Sequence, residues 1–90
     1  MADVAKIDAR KLDLIEKARG IFTAEGYEVR RVGLAIDIMR NGRQFAHIWP
    51  DSPNTLAVGV TSGLWSGVHR DRTIKHALLL IKGAMQESEA

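Results

Sequence analysis

The sequence predicts an α+β domain in the order αβββα, a three-stranded antiparallel sheet with two helices packed on one face. Three observations predict it. Apolar residues recur at helical spacing near both ends of the chain, they alternate with period two through the middle, and Asn41-Gly42 sits between two of the alternating runs. Two amphipathic helices and a sheet hide their apolar surfaces most simply when both helices share one face.

The first helix spans about residues 8–25. Leu14, Ile15, Ala18, Ile21 and Phe22 fall on one stripe, with Lys11, Lys17 and Arg19 largely outside it. Asp8 and Asp13 are both candidate caps, and Gly26 is a stop signal. Gly20 weakens a helix by roughly 1 kcal/mol relative to alanine, which suggests a close neighbour there.

From Tyr27 the period becomes two. Tyr27 and Val29 share one parity, whereas Val32, Leu34, Ile36 and Ile38 share the other. The switch at Arg30-Arg31, with Gly33 nearby, fits either one bulged strand over 27–40 or two short strands with a bend. Asn41-Gly42 predicts a tight hairpin pairing Ile36–Arg40 with Arg43–Ile48, because both turn residues tolerate positive φ. Residues 50–54, PDSPN, read as a loop, and Leu56, Val58 and Val60 mark a further strand over 55–61. The face away from the helices then carries Arg30 or Arg31, Asp37 and Arg43, with His47 a further candidate.

SGLWSGV, residues 62–68, reads as a glycine-bounded loop, and the second helix as about Asp71 to Met85. Its stripe is Ile74, Ala77, Leu78, Ile81, Ala84 and Met85, with Arg72, Lys75 and Lys82 on the far side and Asp71 as the cap. The ends, about 1–7 and 86–90, are expected to fray.

At 90 residues the chain is a single domain, 1–90, with a thin core. It has no cysteine, which excludes disulfides, thiolate metal sites and a cysteine nucleophile. No segment approaches membrane-spanning length and no apolar leader precedes the first helix, so the expectation is a cytoplasmic protein.

Positive charge collects late in the chain. Residues 61–82 hold four bases against one acid, and in HRDRTIKHA, residues 69–77, five of nine side chains can be cationic. At a helix start such charge adds to free N–H groups that already favour anions. The leading expectation is therefore a small non-enzymatic module that contacts a nucleic-acid backbone through His69, Arg70, Arg72 and Lys75, with Arg43 nearby and Trp65 stacking on an unpaired base. The alternative is a protein-binding or inhibitor module of phage-like or mobile-element-like brevity. It would use Trp65 and Leu79 as interface anchors and its arginines on an acidic protein surface. Leu79, flanked by Arg72, Lys75 and Lys82, is also a reason to consider a homodimer. Trp65 folded back over the core is the purely structural reading.

No catalytic residue is assigned. His69 and His76 are seven apart, too far for a compact zinc pair, and no carboxylate supports any of the three histidines at a useful sequence spacing. No metal and no cofactor is expected, and SGLWSG lacks the lysine–hydroxyl ending of a phosphate loop.

Over residues 8–85 the order resembles that of double-stranded-RNA-binding domains and of HicA-type messenger-RNA interferases. In the first family a lysine-rich run at the last helix grips phosphate. HRDRTIK occupies that place, and the resemblance implies that Arg70, Arg72 and Lys75 would do the same. Asn41-Gly42-Arg43 stands where that family has a glycine-proline-histidine loop. In the HicA-type family a histidine near the first strand is catalytic. RNGRQFAHIWP offers a glycine, a strand and His47, with no histidine directly after Gly42, so a HicA-like ribonuclease is the weakest of the three readings.

Overall fold

A computed structural model describes residues 2–61 and 63–89, with side chains over 8–61 and 63–87. The elements are α1 (Ala2–Ala24), β1 (Glu28–Val32), β2 (Ala35–Arg40), β3 (Arg43–Pro50), β4 (Leu56–Val60), β5 (Gly67–Arg72) and α2 (Ile74–Glu89). The five strands form one antiparallel meander in the order β1-β2-β3-β4-β5. The α+β class holds, but the sheet has five strands where three were expected.

Two strands account for the difference. Residues 27–40 are two strands, joined by the two-residue turn Gly33-Leu34, with Gly33 at φ 58°. The turn explains the parity switch. Val29 and Arg31 face the same way as their partners Ile38 and Ile36, whereas Val32 and Leu34 are exposed beside the turn. The second addition is β5, which takes the stretch expected to be a loop and a helix start. GVHRDR has one large apolar residue and no alternation, so nothing local marks it as a strand. It is a strand because β4 offers it an edge: Val60 pairs with Gly67, Gly59 with Val68 and Val58 with His69. Asp71, at φ 60°, sits in the irregularity that follows, after which Arg72 resumes pairing with Leu56.

The helix boundaries move accordingly. α1 begins at Ala2, so neither Asp8 nor Asp13 caps it, and a Cβ at Gly20 would meet nothing within 4 Å. Its end follows the glycine signal. Gly26, at φ 96°, donates to the Thr23 carbonyl and Tyr27 donates to the Phe22 carbonyl, a Schellman closure backed by the Phe22–Tyr27 ring contact at 5.7 Å. α2 begins at Ile74, and its cap is Thr73 in place of Asp71. Thr73 Oγ1 accepts from the His76 N–H at 3.2 Å and the Thr73 carbonyl accepts from Ala77 at 2.9 Å. Met1 and Ala90, within the ends expected to fray, lie outside the described residues.

The Asn41-Gly42 hairpin forms as its sequence predicts, with φ of 53° and 77° and Arg40 opposite Arg43. A bulge between Ile38 and Met39 of the pairing lets both Phe45 and Ala46 join the core. Both helices pack against one continuous core. Ile15, Ala18 and Phe22 of α1 and Ala77, Leu80, Ile81 and Ala84 of α2 enclose Ile36, Ile38, Ile48, Leu56, Val58 and Val60 of the sheet. α1 lies over β1–β3 and α2 over β4 and β5. The other face of the sheet carries no helix. No helix among the described residues is long and apolar enough to cross a membrane.

Candidate functional site

Two surfaces carry the chemistry: the β5–α2 side of the molecule and the uncovered sheet face.

The basic segment is divided between a strand and a helix, so it is not a cluster around one helix start. His69, Arg70 and Arg72 belong to β5, and Lys75 to the first turn of α2. Arg70 is engaged: its Nη2 and Nε donate to Asp51 Oδ1 at 2.5 and 3.1 Å, and Asp51 Oδ2 accepts the Asp71 N–H at 3.3 Å. The guanidinium holds the Asp51 carboxyl below its ordinary range, and the carboxylate in turn raises Arg70. Arg72 pairs in register with Leu56, and its Nε is buried with no hydrogen-bond partner. A residue held that way is part of the packing and is poorly placed to reach for phosphate. His69 Nε2–H donates to the Trp65 carbonyl at 2.8 Å. Arg43 is exposed at the β2–β3 turn, and β4 separates its strand from β5. Among the described residues of β5 and α2 the structure therefore leaves Lys75 as the exposed charge of the expected set with no partner, and Arg43 is exposed on a separate part of the sheet.

Trp65 and Leu79 come together on the same side. The Trp65 ring lies against α2, where a Cβ at Gly83 would be 3.9 Å from Cζ2, and Leu79 is one helical turn before Gly83. Leu79 is 54% exposed and Leu64 is almost wholly exposed, whereas Val68, exposed on β5, is paired with Gly59 and faces the uncovered side of the sheet. With Trp65, Leu64 and Leu79 make three of the seven large exposed apolar residues among those described. Between Ile74 and Gln86, α2 carries Lys75, His76 and Lys82 and no acid.

The uncovered sheet face holds a constellation that sequence spacing did not reveal. Arg30, Asp37 and His47 are aligned across β1, β2 and β3 by register. The Asp37 carboxylate, 5% exposed, accepts from Arg30 Nη2 at 3.2 Å on Oδ2, and from Gln44 Nε2 at 2.9 Å and His47 Nδ1 at 2.5 Å on Oδ1. Burial pushes that carboxyl up, but the hydrogen bonds from His47, Gln44 and Arg30 and the charge of His47 outweigh it, leaving Asp37 below its ordinary value. The expectation that no histidine has carboxylate support is overturned at His47. The two residues are ten apart in sequence and become neighbours only because β2 and β3 pair. Strand parity already placed Asp37 and His47 on one face; the missing information was the register.

Trp49 extends this surface. Its ring lies 5.5 Å from that of His47 and over Gly59, where a Cβ would stand 3.4 Å from Cζ3. Ala57, opposite Trp49 on β4, is fully buried although no helix covers that face. The indole thus has one side packed on the sheet and is not part of the helix-side core. No group of three or more metal-ligating side chains occurs among the described residues.

No protein-family model, curated protein or solved structure matches this chain.

Proposed function

We propose that the chain is a protein-binding module that docks an apolar, acid-rimmed partner surface through its β5–α2 side. The observation that carries this reading is Trp65 lying against α2 one helical turn from the exposed Leu79, with exposed Leu64 next to it in sequence, beside a stretch of α2 (74–86) whose formally charged side chains are Lys75 and Lys82. Exposed large apolar side chains gathered on one side of a small domain mark an interaction surface more often than scattered ones do. Tryptophan is favoured as an anchor because it buries a large rigid area. The lysines supply steering and selectivity toward acidic partners. A nucleic-acid backbone is the weaker occupant, since Arg70 is neutralised by Asp51 and Arg72 is part-buried.

The test uses the full chain as bait, with Trp65→Ala and Leu79→Asp as controls. The expected result is a protein retained by the parent in nuclease-treated lysate, released by salt, and lost by both variants at unchanged melting temperature. Retention of nucleic acid in place of protein, abolished by nuclease and by Lys75→Ala, would return the reading to a backbone-binding module. A concentration-dependent dimer on gel filtration that Leu79→Asp dissolves would make the occupant a second copy of this chain.

A further inference from the structure

We propose that the uncovered sheet face is an acid–base site for an RNA phosphodiester, with His47 as the general base and Arg30 as the phosphate contact. The inference rests on what Asp37 does to its neighbours. By accepting from Nδ1, the carboxylate holds the imidazole in the tautomer whose proton is on Nδ1, which leaves the Nε2 lone pair free. Among the described residues Nε2 has no hydrogen-bond partner, and the His47 side chain is 38% exposed. A histidine held this way, in contact with solvent, has the arrangement a general base requires.

The substrate class follows from what lies beside it. Among the described residues no side-chain nucleophile is poised on Nε2. The chain has no cysteine, the Thr61 hydroxyl donates to the Phe45 and Gln44 carbonyls, and Ser52 is bonded to Thr55. The substrate must bring its own nucleophile. Arg30, 63% exposed, uses one guanidinium nitrogen on Asp37 and presents its other N–H groups outward, as a fork suited to a phosphate. Trp49, packed over Gly59 beside His47, offers a stacking surface for an unpaired base. A phosphodiester with an internal hydroxyl and an adjacent base, which is single-stranded RNA, satisfies all three features on an open surface.

The step balances with solvent water as the acid. His47 Nε2 takes the proton of the 2′-hydroxyl as the 2′-oxygen bonds to phosphorus. The bond from phosphorus to the 5′-oxygen breaks, and its electron pair leaves on that oxygen, which takes a proton from water. The resulting hydroxide recovers the proton from His47. The products are a 2′,3′-cyclic phosphate and a 5′-hydroxyl. The charged groups facing His47 are Asp37 from β2 and, beyond it, Arg30 from β1; β4 presents the uncharged Gly59.

The test is cleavage of an end-labelled uridine-containing oligoribonucleotide by the full chain, with the all-deoxy oligomer as control. Expected are cyclic-phosphate products from RNA alone and a loss of about 100-fold or more in His47→Asn. The asparagine amide can keep the donor to Asp37 while removing Nε2, so the fold is retained, as a melting curve verifies. Arg30→Gln should raise KM more than it lowers kcat. Asp37 is a positioning residue, and Asp37→Asn should lower kcat more than it raises KM, a split that lost packing alone would not produce. RNA left intact by the parent, or cut equally by identically prepared His47→Asn, overturns the proposal. The site shares no residue with the β5–α2 surface, so its failure leaves the docking proposal standing.

Discussion

Along β3, Ala46 and Ile48 enter the helix-covered core, while His47 and Trp49 occupy the uncovered face. The covered face is a packing problem. Ile36, Ile38, Ile48 and Val58 are wholly buried, and what they need is complementary shape. The uncovered face buries a carboxylate instead, and what Asp37 needs is donors, which arrive from β1 and β3. The difference teaches that a small sheet can obtain order on both sides without a second layer of helices. On one side the ordering groups are apolar; on the other a polar cluster and the Trp49 ring over Gly59 close over the strands.

The sharpest way to break the comparison is to truncate each face in turn. Ile48→Ala should cost about 2–5 kcal/mol in denaturant unfolding, because a fully buried side chain leaves a cavity between both helices and the sheet. Asp37→Asn should cost less, roughly 1–3 kcal/mol, since Arg30 and His47 can turn to solvent once their charged acceptor is gone. If the second change proves the larger, the uncovered face is the true keystone and the two-sided account is wrong.

Acidification sharpens the same contrast. Asp37 and Asp51 both lie below their ordinary values when folded, so the stability they supply is present above the unfolded carboxylate range, near pH 4. It is lost as pH falls through their lowered values. Melting temperature should drop across that window in the parent, and less steeply in Asp37→Asn. An unchanged slope in the variant would mean that the carboxylate contributes nothing to acid stability.

The smallest expected effect is at Gly59. Gly59→Val places a branched side chain where the indole now lies, displacing Trp49 toward solvent. In a Trp65→Phe background the remaining emission should move to the red, while stability changes by no more than about 1 kcal/mol. Unshifted emission would show that Trp49 does not rest on Gly59.

The hairpin at Asn41-Gly42, the helical stripes and the stop at Gly26 were legible because each depends on residues a few positions apart. The β5 strand was not, because GVHRDR carries no pattern of its own and is ordered by an edge supplied from β4. The exposure of Leu79 was legible, because it lies between Lys75 and Lys82 on the helix, whereas the basic cluster was legible only as charge. Its engagement with Asp51 spans nineteen positions of sequence.

The sequence by itself determined the α+β class, the apolar stripes, the tight turn and the absence of thiol chemistry, all properties of residue type and local spacing. Tertiary structure alone decided that Arg70 is neutralised, that Arg72 is part-buried and that His47 has a carboxylate behind it. The physical reason is register. Strand pairing brings residues from separate segments to within about 5 Å, and one step of slippage would turn each of them to the opposite face.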